Sequence, residues 1–225
     1  MELALLVALL IGGIASLRGG GEQSAPTGER PTTTSQPPVD TAAPGALPKQ
    51  GSLSQTTVAP DGEVTVRQWI RSRGRIERLR LRFPRQTPLP SAAAARDLIV
   101  TVDGSEVPAP TTVKRGGGKQ IDLARAGSLV YLSYRLDGVL DADSSVEHRA
   151  LVRLAALLVD KAAAAGPAVV TVRAHRVLAL ACLDRPSSGQ AATPYPCGAP
   201  TSTGWKVRLD KKHRGASVSA QVELR

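Results

Sequence analysis

Aromatic side chains are scarce, with one Phe, three Tyr and two Trp in 225 residues. A core in this chain has to be filled by Val, Leu, Ile and Ala, with Trp69, Phe83, Tyr131, Tyr134 and Trp205 as its few large pieces. That composition favours thin, closely packed β layers. It also withholds the stacking platforms that single-stranded nucleic acid needs, so no nucleic-acid partner is expected in spite of the basic charge.

Histidine and cysteine are equally sparse. His148, His175 and His213 lie in separate segments, and the chain has no His-Glu-x-x-His, no Gly-x-Ser-x-Gly and no Ser-x-x-Lys. The expectation is a protein that is not an enzyme and takes no metal or cofactor. A hydrolase whose triad assembles only in space is the remote alternative. Two partial motifs fail on spacing. Asp141, Asp143, Ser145 and Glu147 alternate like the opening of a calcium loop, but Val146 stands where the sharp turn wants Gly and Val152 where the bidentate Glu belongs. The run from Lys114 to Lys119 encloses Gly116, Gly117 and Gly118, yet Val113 and Gln120 occupy positions that a phosphate loop gives to Gly and to Ser or Thr. It reads as a basic connection between strands.

Only two cysteines are present, Cys182 and Cys197, and the segment between them holds Pro186, Gly189, Pro194 and Pro196. In an exported chain this pattern predicts one disulfide. Export is suggested by the N-terminus, where Leu3 to Leu17 is an uninterrupted run without charge. Fifteen residues fall short of the ~20 that span a bilayer squarely, which favours a signal peptide over residues 1–17, with Gly13-Ile14-Ala15 as a tolerable cleavage site. A retained N-terminal membrane anchor is the other reading. No Cys lies nearby to carry a lipid. The expected location is extracytoplasmic, either secreted or held to the cell membrane by the N-terminus.

Residues 18–60 hold eleven Gly and Pro residues between Gly19 and Pro48, with few large apolar side chains, and read as a disordered linker. After Asp61-Gly62 the pattern turns to period two, which places alternate side chains on opposite faces of a sheet. Leu79, Leu81 and Phe83 alternate with Arg78, Arg80 and Arg82, and Leu98, Val100 and Val102 lead into Asp103-Gly104, a hairpin turn signal. Further strands are predicted near 120–123, 129–136, 168–173, 177–182, 205–209 and 217–224. Regularly spaced short strands imply a mainly β fold, a single β-sandwich of generally immunoglobulin-like form over residues 61–225. One short helix is expected within 144–166. Ser144 and Glu147 fit a capping box, Ala150, Leu151, Leu154 and Leu158 recur at helical spacing, and Gly166-Pro167 is a stop. A central strand through Leu151 to Val159 is the competing reading.

Charge is the feature with most bearing on function. Residues 61–225 hold 26 Lys and Arg against 15 Asp and Glu. Arg67, Arg71, Arg73, Arg75, Arg78, Arg80, Arg82 and Arg85 crowd together with only Glu77 opposing them. Arg71, Arg73, Arg75, Arg78, Arg80 and Arg82 are therefore the candidate binding residues, for an anionic envelope polymer, lipid head groups or an acidic protein partner. The plain alternative is arginine spent on solvent positions. A structural or sensory ectodomain that binds a protein through its loops is the second functional class, separable from the first because high salt would not release its partner.

Overall fold

The period-two pattern becomes strand throughout a computed structural model that describes residues 41–84, 88–142, 146–159, 166–184, 193–210, 213 and 216–225. The apolar run and the first part of the expected linker lie outside the described residues. Among the described residues no helix is long and apolar enough to cross a membrane.

Fourteen strands are found among the described residues, in two sheets that give a sandwich-like arrangement. The larger sheet has the order β12 (Ala199–Thr201), β13 (Gly204–Leu209), β9 (Ala168–Arg173), β1 (Gly51–Val58), β2 (Val64–Arg82), β6 (Gly118–Asp137), β3 (Ala94–Val102) and β4 (Ser105–Glu106), with β5 (Thr112–Lys114) also pairing β3. The smaller sheet runs β11 (Tyr195–Pro196), β10 (Arg176–Leu183), β14 (Ser217–Glu223), β8 (Arg149–Leu154) and β7 (Leu140–Ala142). Val64, Val66, Val130 and Leu132 of the first sheet share one buried cluster with Val152, Leu180, Val218 and Val222 of the second. The predicted hairpin at Asp103-Gly104 joins β3 to β4, with both residues at positive φ (48° and 83°), as the tight primed turn requires.

Two expectations are corrected. The linker does not extend to Pro60, because Gly51–Val58 is a central strand, antiparallel to β2 on one side and parallel to β9 on the other. The alternation in GSLSQTTV is carried partly by Ser and Thr, and Leu53, Ser54, Thr56 and Val58 are all buried. A strand covered on both faces loses the clean apolar-in, polar-out signature. At its start the β1 and β9 backbones nearly touch. Ser52 N–H donates to the Pro167 carbonyl (3.1 Å), and a Cβ on Gly51 or Gly166 would lie within 2.1 Å or 2.0 Å of the other strand's carbonyl oxygen.

The second correction concerns 144–166. Arg149–Leu154 is strand β8, held between β14 and β7, and 155–159 continues extended, bridged to β2 at Leu158. Ala150, Val152, Leu154, Ala155, Leu157 and Val159 are buried, whereas Leu151 and Leu158, which supplied half of the helical spacing, are the exposed large hydrophobics. Two-sided pairing outweighs a local helix preference here. Ser144, and with it the capping box, lies outside the described residues. The extended segment is anchored by a buried polar chain. Leu157 N–H donates to the Tyr134 hydroxyl (3.0 Å), that hydroxyl donates to Gln68 Oε1 (3.2 Å), and Gln68 Nε2 donates to the Leu157 carbonyl (2.9 Å). Burial pushes the Tyr134 phenol up, with the Leu157 N–H opposing it.

The opposite face of the larger sheet carries a small second cluster of Leu47, Leu53, Trp69, Tyr131 and Val169. Trp69 and Tyr131 sit tilted with ring centroids 5.2 Å apart, and the Trp69 indole N–H donates to the Thr41 carbonyl (3.1 Å). Residues 41–50 thus belong to the folded unit as well.

Candidate functional site

The arginine-rich strand does something that simple alternation does not anticipate. β2 and β6 pair regularly from Thr65↔Arg135 to Arg71↔Leu129 and again from Arg78↔Asp122 to Arg82↔Gly118, with an irregular stretch between, where Ile76 pairs Gly127. The core-facing parity changes across it. Val64, Val66 and Ile70 face the main core before the irregularity, Leu79 and Leu81 after it, and Ile121 replaces the even-numbered Val130 and Leu132 on β6. Arg71 and Arg73 on one side of the break, and Arg78, Arg80 and Arg82 on the other, consequently all point away from the main core, although their numbers differ in parity.

The six candidate arginines then divide by what surrounds them. Arg71 and Arg82 are half-buried, and Arg73, Arg75, Arg78 and Arg80 are exposed. Arg78 is paired with Asp122 across the ladder (2.9 Å), and the Arg75 guanidinium donates to the Ala126 carbonyl. Elsewhere on the surface arginines also meet carboxylates: Arg96 with Asp137, Arg135 with Glu63 and Asp97, Arg153 with Asp141. Among the described residues Arg80 and Arg82 have no such partner.

Arg80 and Arg82 line an open cleft of about 630 Å³ together with Phe83, Pro84, Ser91, Gln120 and the whole turn from Arg115 to Lys119. The turn is firmly placed. Arg115 N–H donates to the Ala93 carbonyl (2.9 Å), Gly117 N–H donates to the Lys114 carbonyl (3.1 Å), and Gly116 stands at φ +79°. Arg82 also exchanges backbone hydrogen bonds with Leu158 (3.3 and 2.8 Å). The cleft therefore joins two sequence features that lie far apart along the chain, the end of the arginine strand and the Lys114–Lys119 turn. Arg115 and Lys119 were absent from the sequence-based candidates because only the β2–β6 pairing brings them beside Arg80 and Arg82. The sequence signal for them is the glycine run between them, which lacks phosphate-loop spacing but marks backbone open to close approach.

Several other titratable groups are paired locally. Glu147 meets His148 (3.3 Å), Asp141 is taken by Arg153, and Asp143 and Ser145 lie outside the described residues. His213 is held by Asp210 (3.1 Å) with Asp184 at 3.8 Å. Partial burial, then the carboxylates of Asp184 and Asp210, raise the neighbouring Tyr195 phenol. Cys182 and Cys197 form the predicted disulfide, with Cα atoms 5.7 Å apart, inside the usual range.

No family model matches the chain, and no curated protein matches it either. Among solved structures, the crystal structure of an aminopeptidase N family protein from Idiomarina loihiensis aligns over 75% of this chain at 12% identity with a TM-score of 0.42. The chain spans 29% of that protein's length.

Proposed function

We propose that this protein works outside the cytoplasm as a non-enzymatic binding domain that holds an anionic component of the cell envelope against its basic surface. The observation that carries this reading is the grouping of Arg80, Arg82, Arg115 and Lys119 around one cleft with no carboxylate among the described residues that line it. Unneutralised like charges repel one another, so an arrangement of this kind is stabilised by an anion that enters it. The disulfide supports the compartment, since such bonds persist where the environment is oxidising, and the apolar run from Leu3 to Leu17 supplies either a signal or a membrane anchor.

The test is retention of the purified protein on isolated cell envelopes over a salt series. Arg80→Gln with Arg82→Gln is expected to lower retention at low salt and to flatten its decline as salt rises, because two of the screened contacts are gone. Unchanged retention and an unchanged salt profile would make the arginines solubilising groups only. Retention that survives high salt in both proteins would favour a protein partner bound elsewhere.

A further inference from the structure

We infer that the cleft is built for phosphoryl oxygens, and specifically for two or more phosphoryl groups close together on one ligand. This deepens the reading that the basic surface binds an anion, and rests on it. Three features of the cleft select phosphate from among anions.

The first is donor type. Arg80, Arg82 and Arg115 bring planar guanidinium forks, which match phosphate oxygens two at a time, and Lys119 adds a compact point charge. Ser91, exposed at the rim, adds a hydroxyl donor. The second is the backbone. Gly116, Gly117 and Gly118 line the cleft without side chains, and a Cβ on Gly116 would meet open space. Its glycine is required by φ +79° and not by crowding. A turn without side chains lets a ligand approach the main chain closely. The third is spacing. Arg80 and Arg82 stand two residues apart on the same face of β2, roughly 6.6 Å along the strand, and the Arg115–Lys119 turn faces them across Gly118↔Arg82 and Gln120↔Arg80. Lys119, opposite Leu81 in the ladder, and Arg115 line the cleft beside them. Cations spread along a cleft in this way suit tandem phosphoryl groups better than one isolated anion.

The lining also says what the rest of the ligand lacks. Phe83 is the one aromatic among the lining residues and it is buried, so the cleft offers no ring face on which a nucleobase or sugar would stack. Recognition is by oxygen and charge. Tandem phosphoryl groups of this kind occur on phosphate-bearing envelope polymers and on phosphorylated lipid head groups, and the chemistry at the protein is the same for both.

The experiment is calorimetric titration of the full-length protein with tripolyphosphate at fixed ionic strength, with citrate as a carboxylate probe. Two double variants each remove two exposed cations. Arg115→Gln with Lys119→Gln strips the turn side of the cleft, and Arg67→Gln with Arg173→Gln strips the same charge from β2 and β9 outside it. The expected result is one tripolyphosphate per chain, weakened roughly tenfold or more by the first variant and less than about twofold by the second. Equal weakening by both variants, or citrate binding as tight as tripolyphosphate, would overturn the inference. All four side chains are exposed, and matched melting curves verify that each variant is folded. Cosedimentation with vesicles of cardiolipin in phosphatidylcholine, a lipid that carries two phosphodiesters on one glycerol, then identifies the source: retention lost in the Arg115/Lys119 variant assigns the phosphate to lipid, and no retention assigns it to polymer. Tripolyphosphate binding without envelope retention would defeat the proposed envelope role and leave the phosphate site standing; envelope retention without tripolyphosphate binding would do the reverse.

Discussion

At the scale of single residues, the fate of an ionisable or polar group is set by its neighbours and not by its type. Arg78 and Arg80 are two residues apart on one strand face, yet Asp122 neutralises the first and nothing acidic reaches the second among the described residues. Tyr134 is the clearest buried case. Its hydroxyl accepts from the Leu157 N–H and donates to Gln68 Oε1, so Tyr134→Phe leaves that N–H and that oxygen without this partner in the core. The expected cost is about 1–3 kcal/mol at neutral pH, read as a lower denaturant midpoint. The same tyrosine gives a pH prediction. Its folded pKa is raised above the ordinary value of 10.0, so the neutral phenol's contribution is intact below that value. It is lost as pH rises beyond it, where the unfolded chain ionises first. Stability measured from pH 8 to 11 should fall on the alkaline side, and Tyr134→Phe should remove part of that fall.

Elements show which patterns are legible and which are not. Strands β3, β9, β10, β13 and β14 follow the predicted segments within a few residues because β13 and β14 alternate apolar and polar side chains, and β3, β9 and β10 are short apolar runs rich in Val, Leu and Ile. β1 escaped notice because its buried positions include Ser54 and Thr56, and β8 was read as a helix because Leu151 and Leu158 happen to complete a helical spacing. Both strands are settled by partners distant in sequence. The disulfide ties the two-residue edge strand β11 to β10, where Cys182 pairs Tyr195 and Ala181 pairs Pro196. Pro196 is tolerated there because an edge strand need not donate on its outer side. Reduction frees the loop that Cys182 and Cys197 close, at a cost of about 3 kcal/mol in the chain-entropy model. For a unit of this size that lowers the melting temperature by roughly 6–12 °C. A melting curve unchanged by reductant would show that the bond contributes nothing to the fold.

On the scale of the whole molecule, the folded unit is longer than the change of pattern at Asp61 suggests. β1 lies between β2 and β9, and removing it leaves the facing edges of both strands open and strips Leu53 from beneath Trp69. A chain beginning at Asp61 is therefore expected to lose cooperative unfolding and to aggregate, whereas one beginning at Asp40 should melt in a single sharp transition. Equal melting of the two would return the boundary to Asp61. The cleft depends on the same long-range order. Its two walls meet because β2 and β6 recover their register after the irregular stretch around Ile76 and Gly127, and Gly127 has room only for hydrogen, with Val102 2.2 Å from where a Cβ would sit.

The sequence by itself determined that the chain is mainly β, that its core is aliphatic, that Cys182 and Cys197 pair, and that basic charge gathers around β2. These are properties of local alternation, composition and count, and they need no knowledge of partners. Tertiary structure alone decided that Gly51–Val58 is a central strand, that Arg149–Leu154 is not helical, and that Arg80 and Arg82 share a cleft with Arg115 and Lys119. Each of those depends on pairing between segments far apart along the chain, where hydrogen bonding and burial on both sides outweigh local preference.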